Sequence, residues 1–390
     1  MKIPQIGALM QTRLQTLAEA RDRGVKVVGY LPGGYVPDEL VYASGAIPLC
    51  LSHGGDARPA ERAHTLVPNL ICPFARAQIG ETLLRTNPFY ASLDLVVVPT
   101  TCQHLKQAGD VWEHYDMVEV FKLGVPYDCQ DDYELEYYRE RLAALKLTLE
   151  RLTGTVITDD GLNEAIAVYN RLRGLLKTLS LLRRGPRPAV STLDFVRLNH
   201  LSMYADPAMT CAALETLCDA TASSAAPASS AAPSAKRPRV MLVGPALAFG
   251  DYDLIKMTAE AGADVVVEEV FEGLRDYEQV VDGPGDPLHR LARSYLLGKK
   301  PAAFARGATR KRLDLVLDLI EQFGVDGVLW YQLLCCELYD EESYLFEKVL
   351  RERGIPMLVV ESDYHSLDAG PVRTRLDAFI EIMQGGPIDA

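Results

Sequence analysis

Leu93-Asp-Leu-Val-Val-Val-Pro-Thr-Thr-Cys102 carries a short apolar run, Leu95 to Val98, closed by a proline and two threonines and followed at once by a cysteine. A brief β-branched run without polar alternation is the signature of a strand covered on both faces, as in a parallel sheet. Gly327-Val-Leu-Trp-Tyr-Gln-Leu-Leu-Cys335-Cys336 repeats that grammar far along the chain. Around the first lie Val25 to Tyr30 and Ile47 to Leu51, and around the second Val240 to Val243, Asp264 to Glu269 and Met357 to Glu361, with helical patterning such as Pro37 to Ser44 between them. Strands alternating with helices require parallel sheets with helices on both faces, so the expected fold is α/β, two doubly wound Rossmann-like domains.

The 390 residues suffice for two or three domains. Residues 1–130 read as an N-terminal α/β lobe, 131–219 as a helical segment, 220–238 as a flexible Ala/Ser/Pro linker and 239–390 as a C-terminal α/β lobe. The linker reading rests on Ala220 to Ala235, which has no large apolar residue to anchor it. In the helical segment, Gly154 and the Thr158-Asp-Asp-Gly161 run predict a break into two helices, with Thr158 or Asp159 as the second N-cap. Met1 to Gly24 reads as an amphipathic helix without a signal-peptide core.

Hydrophobic residues make up 48% and charged ones 24%, which excludes wholesale disorder. No apolar run approaches the ~20 residues of a membrane span. With 40 basic against 53 acidic residues the net charge is −13, the wrong sign for coating a phosphate backbone. A cytoplasmic protein is expected, and there its 8 cysteines are free thiols or metal ligands rather than disulfides.

Ligands of doubly wound sheets gather beyond the carboxyl ends of the strands, and Cys102, Cys335 and Cys336 fall there. Cys72 stands in Asn69-Leu-Ile-Cys-Pro73, leading into a helix. Each can be a small buried hydrophobe or a metal ligand. Cys129, Cys211 and Cys218 read as structural, and His104 as a hydrogen-bonded structural histidine. Gly33-Gly34, Gly54-Gly55 and Gly244-Pro245 suit tight turns or close backbone approach to a ligand. Neither GxxxxGK[ST] nor GxGxxG occurs, so the chain is not expected to hydrolyse ATP itself or hold NAD in the usual way.

With their surroundings, these cysteines resemble the iron-sulfur subunits of the 2-hydroxyacyl-CoA dehydratase and benzoyl-CoA reductase family. The resemblance rests on Gly29-Tyr-Leu-Pro-Gly-Gly-Tyr-Val-Pro-Asp-Glu-Leu-Val-Tyr-Ala-Ser-Gly-Ala-Ile-Pro48, Cys72-Pro-Phe-Ala-Arg76, Cys102, Cys336-Glu-Leu-Tyr-Asp340, Gly354-Ile-Pro-Met-Leu-Val-Val-Glu-Ser-Asp-Tyr364 and Arg373-Thr-Arg375. It implies Cys72, Cys102 and Cys336 as ligands of a [4Fe-4S] cluster with one iron free of protein thiolate. Cys335, and Cys50 after another strand, leave open a larger double-cubane [8Fe-9S] cluster. Many dehydratase-type chains carry Cys or Ser where this one has Gly33 and Gly34.

The resemblance implies an ATP-dependent aromatic acyl-CoA reductase subunit of the benzoyl-CoA type, serving anaerobic aromatic degradation. Its alternatives are a 2-hydroxyacyl-CoA dehydratase subunit and a non-catalytic iron-sulfur subunit or double-cubane reductase of a small molecule. The implied partners are an acyl-CoA substrate, a sister iron-sulfur subunit or second copy, and an ATP-hydrolysing iron-sulfur activator. Tyr30, Tyr35, Phe74, Trp330 and Tyr331 are candidate pocket walls, and Arg373 and Arg375 candidate grips for the CoA phosphates.

Overall fold

Continuous apolar strands are satisfied in a sheet covered on both faces, and the computed structural model, which describes residues 5–128, 131–185, 188–224, 237–300, 302–365 and 369–385, places them in two such sheets. Strands β1 (Val27–Tyr30), β2 (Ile47–Cys50), β3 (Leu95–Pro99) and β4 (Glu119–Leu123) form a sheet ordered β2-β1-β3-β4. Strands β5 (Arg239–Val243), β6 (Asp264–Glu269), β7 (Gly327–Leu333) and β8 (Met357–Ser362) form a second, ordered β6-β5-β7-β8. Every pairing is parallel, and the two sheets share one strand order. β3 and β7 are buried along their whole length. The edge strand β4 is absent from the pattern of apolar runs: its Glu119 and Lys122 are exposed, so it lacks the continuous apolar stretch of its neighbours.

The helices that matter below are α1 (Gln5–Asp22), α2 (Pro73–Leu84), α3 (Gln103–His114), α4 (Asp132–Thr153), α5 (Asp159–Leu181), α6 (Pro207–Ser224), α7 (Ala308–Phe323), α8 (Glu337–Glu352) and α9 (Ala369–Met383). The break between α4 and α5 is where glycine and threonine put it. Gly154 ends α4 in the left-handed region at φ 74°, and the Thr158 side chain caps α5 by accepting from the Gly161 amide. Helix α6 runs to Ser224, into the stretch read as linker, because alanine favours helix and Thr221 is buried. At the far end Arg237 pairs with Asp264 at 3.0 Å; residues 225–236 lie outside the described residues. Among the described residues no helix is long and apolar enough to cross a membrane.

The lobes meet through backbone. Phe249 donates its amide to Ser52 O at 2.7 Å and accepts from the Gly54 amide at 3.2 Å, a one-residue parallel bridge between loops that leave β2 and β5. So close an approach leaves no room for side chains: a Cβ on Gly54 would lie 2.6 Å from Ala248 Cβ, and one on Gly55 2.6 Å from Asp251 Cα. The Gly54-Gly55 pair therefore serves the joint between the lobes, not a ligand. Beside it His53 packs on Phe249 and places its ring nitrogen 2.8 Å from the Tyr204 hydroxyl, and burial pushes its pKa down to about 4. Elsewhere Arg173 of α5 donates to Glu39 at 2.6 Å and to the Tyr295 hydroxyl at 2.7 Å, while Tyr295 donates to Glu39 at 2.7 Å. One buried triad thus ties the helical segment to both lobes.

Two substitutions check this joint. Gly55 sits at φ 77°, so Gly55→Ala adds strain to the clash and should cost about 1–3 kcal/mol. Arg173→Ala leaves the Glu39 carboxylate buried without its cation and should cost about 3–5 kcal/mol. Urea unfolding midpoints read both, and a parental midpoint for Gly55→Ala would mean that the lobes do not meet at this loop.

Candidate functional site

In a parallel sheet every strand ends on the same side, and the helix that follows begins there with its unpaired amides pointing outward. Three cysteines occupy such starts. Cys72 is the N-cap of α2, Cys102 of α3 beyond β3, and Cys336 of α8 beyond β7. Pro73 fits the first position of α2 because that position needs no amide donor. The Cys72 sulfur accepts from the Ala75 amide at 3.4 Å. Backbone amides of His104 and Leu105 favour the Cys102 thiolate, and the Tyr339 amide favours that of Cys336.

All three sulfur-bearing residues line one cavity, together with Gly33, Tyr35, Phe74, Thr101, Phe271, Phe304 and Tyr339. A second, outer cavity shares the three cysteines and adds His104, Tyr127, Cys335 and Glu337. The cysteines therefore stand between an apolar inner chamber and a more open mouth. Cys335 reaches only the mouth, turned there by its left-handed backbone at φ 61°. Cys50 reaches neither cavity. It is buried at the end of β2 with Tyr30, Leu95 and Val97, because strand alternation turns it to the other face of the sheet.

Burial pushes the Cys72 thiol up to about 12, with the neighbouring Cys102 adding to the shift. Cys102 is likewise raised by burial, and Cys336 is raised well above its ordinary value by burial and then by the charges of Cys72 and Cys102. Three apolar-buried thiols that repel one another as anions need positive charge before all can be thiolates, which a metal centre supplies. Among the described residues no three His, Cys, Asp or Glu side chains converge tightly enough to hold a single metal ion. A cubane attaches its thiolates to different irons and so calls for a wider spread. The donor set, the apolar walls and the helix starts fit an iron-sulfur cluster of that kind.

A second layer holds these cysteines. The Cys72 amide donates to His104 Nδ1 at 3.2 Å, so the neutral ring keeps its proton on Nε2. Arg76 donates to Ile71 O at 2.9 Å and contacts His64. Gln332 donates to Cys336 O at 3.0 Å, and its own oxygen accepts from the Trp330 indole at 3.1 Å. Sequence reasoning misses Gln332, since an amide within a buried strand looks like an accident of sequence. Gly33 and Gly34 have φ of 129° and 75°, and the Gly33 carbonyl accepts from Arg275 at 3.0 Å.

Of the expected pocket walls, Tyr35 and Phe74 line the inner cavity. Tyr30 instead borders a polar cavity with Asp38 and Arg173, Trp330 packs on Tyr339 and Phe346, and the Tyr331 hydroxyl is bonded to Asp251. Side chains alternate along a strand, so consecutive aromatics such as Trp330 and Tyr331 cannot share a wall. Phe271, Phe304 and Tyr339 take their places. Arg373 and Arg375 lie on α9, one paired with Glu260 and the other bonded to Val359 O, and line neither cysteine cavity. Cys211 and Cys218 sit on α6, away from both. Cys129 lies outside the described residues.

A family model described as 2-hydroxyglutaryl-CoA dehydratase, D-component, matches residues 34–383. The chain is 27% identical over 97% of its length to an Escherichia coli (strain K12) protein named "Putative dehydratase subunit YjiM", also covering 97% of that protein. It is 25% identical to a benzoyl-CoA reductase subunit of Thauera aromatica, with 92% of this chain and 91% of that one covered. It is 22% identical to the (R)-phenyllactyl-CoA dehydratase beta subunit of Clostridium sporogenes, with 92% of each covered.

The raised thiols give a direct check. In metal-free protein at pH 8, well below the value of about 12 for Cys72, iodoacetamide should label Cys72 far more slowly than unfolded chain. Labelling should climb only at strongly alkaline pH, and peptide mapping by mass spectrometry reads it. Labelling of Cys72 at the unfolded rate would show that its sulfur is not held in the apolar chamber.

Proposed function

Because the chain belongs to the 2-hydroxyglutaryl-CoA dehydratase D-component family, we propose that Cys72, Cys102 and Cys336 hold a [4Fe-4S] cluster and that the chain passes low-potential electrons to a CoA thioester. The observation that carries this reading is the trio of N-cap cysteines, drawn from both lobes onto one apolar chamber. When bound, the cluster supplies one-electron chemistry and an iron without a protein thiolate. Cys335, at the outer mouth, is available to a larger cluster; Cys50, on the far face of its sheet, does not support one.

The chain's own residues prepare the substrate side. Tyr35, Phe74, Phe271 and Phe304 make a water-poor wall that suits a flat, ring-bearing acyl group. Tyr339 shares that chamber, and its buried hydroxyl has no partner among the described residues. It is the donor we assign to the thioester carbonyl, where developing negative charge would draw it in. Gly33 brings no acid or base to the chamber, which favours reduction of an aromatic acyl-CoA over loss of a 2-hydroxyl. A second reading, dehydration of a 2-hydroxyacyl-CoA, is favoured by the family description and by the dehydratases among the relatives. Relatives that are each named as one subunit of a dehydratase or reductase support a sister subunit as partner. The resemblance adds an ATP-hydrolysing activator.

Serine at Cys72, Cys102 or Cys336 should each strip most of the iron from anaerobically purified protein, while Cys211→Ser and Cys218→Ser leave it. Unchanged iron and sulfide in all three would overturn the cluster assignment. With sister subunit and activator present, Tyr339→Phe should lower kcat about 10²-fold at unchanged iron content. Net electron consumption separates the two reactions, since ring reduction consumes reductant with each product formed and dehydration does not. Turnover of a 2-hydroxyacyl-CoA without net consumption, with benzoyl-CoA untouched, would replace the first reading by the second.

A further inference from the structure

Outside the cysteine chambers a cleft adjoins them between the Ser294–Gly298 turn and the first half of α7. Among its described lining residues are four cations, Lys299, Lys300, Arg306 and Lys311, against two carboxylates, Asp314 and Asp318. Asp314 is already engaged by Arg310 at 3.2 Å. In a chain of net charge −13 such a local excess of cations does not follow from composition.

The cations are poorly neutralised from within. Lys311 is exposed and has no ion-pair partner among the described residues, Lys300 lies 3.9 Å from Glu278, and Arg306 lies 3.6 Å from Asp128 with its side chain 80% exposed. Lys299 is held at the base, 3.4 Å from Asp276 and 4.1 Å above the Tyr295 ring. Into the same cleft opens the start of α7, where Gly307 stands as N-cap at φ 67° and no side chain caps the first turn. The Ala308 amide is taken up by Ala305 O at 2.9 Å, so it is the positive end of the helix together with the exposed Lys311 and the loosely paired Lys300 and Arg306 that favours a phosphate group.

The cleft also adjoins the chemistry. Tyr35 borders both it and the inner cysteine chamber, and the segment that lines the chamber at Ala302, Ala303 and Phe304 continues into the cleft as Ala305 and Arg306. We propose that this cleft takes the phosphate-bearing adenosine tail of the CoA thioester, with the long pantetheine arm passing Tyr35 and Phe304 to place the acyl group in the chamber. The assignment rests on the CoA-thioester reading of that chamber. It replaces Arg373 and Arg375, which sit elsewhere, as the grip on the phosphates.

The test is calorimetric titration of the full chain with CoA, with CoA lacking its 3′-phosphate, and with ATP. The double charge reversal Lys300→Glu and Lys311→Glu changes side chains that no core depends on. It should weaken CoA about tenfold or more, as loss of charge-assisted contacts to phosphate predicts. Lys256→Glu with Lys348→Glu, the same charge change at two other sites, should leave affinity at the parental level. CoA should bind more tightly than either its dephosphorylated form or ATP. Equal CoA affinity in parent and cleft variant would overturn the assignment, and ATP binding as tight as CoA would overturn a thioester tail as the occupant. Iron per chain, measured on the same samples, reads the cluster separately: unchanged CoA affinity in a variant that keeps its iron removes the cleft and leaves the cluster reading standing.

Discussion

Three helix starts aimed at one point are the constraint on which the rest of this molecule depends. Each start presents unpaired amides and the positive end of a peptide dipole, and each carries a cysteine as its N-cap. Such ends repel one another unless negative charge lies between them. Thiolates provide it, yet in an apolar chamber they too are costly without cations nearby. The site is therefore electrostatically incomplete as a set of free thiols and becomes balanced when sulfur, amide and metal charge meet together. Parallel sheets are the architecture that makes this possible, since all their strands deliver the following helices to the same side.

Because Cys72 and Cys102 belong to one lobe and Cys336 to the other, the chamber exists only while the lobes keep their relative position. The joint is correspondingly stiff. Backbone pairing between the Ser52–Gly54 and Phe249 loops excludes side chains at Gly54 and Gly55, and the Arg173–Glu39–Tyr295 triad is closed off from water. Buried ion pairs are weak sources of net stability, but they penalise every arrangement that leaves one member unpaired. Here that penalty acts on the angle between lobes, and through it on the spacing of the cysteines.

The chamber and its surroundings divide the work by polarity. Aromatic rings and small residues face the inner side. Amides, His104 and Gln332 hold the cysteines from behind. Lys299, Lys300, Arg306 and Lys311 border the adjoining cleft, and the Tyr35 and Phe304 rings, which meet edge to face at 5.5 Å, line the chamber beside it.

Periodicity and punctuation alone determined the two parallel sheets, the break at Gly154 and the strand ends at which Cys102 and Cys336 stand, and narrowed the second N-cap to Thr158 or Asp159, because burial on both faces and capping are local demands that residues meet within a few positions of themselves. The edge strand β4 escaped, since its exposed Glu119 and Lys122 interrupt the apolar run that the other edge strands, β2, β6 and β8, retain. What only the tertiary structure decided was which of these local pieces meet. That Cys72, Cys102 and Cys336 share one chamber, and that Phe271, Phe304 and Tyr339 complete its wall with Tyr35 and Phe74, follow from the orientation of one lobe against the other, whereas strand alternation already turns Cys50 to the other face of its sheet and parts Trp330 from Tyr331. That orientation is set by contacts between residues far apart in the chain, Phe249 with Ser52 and Arg173 with Glu39 and Tyr295, and no pattern read along the sequence encodes a distance between them.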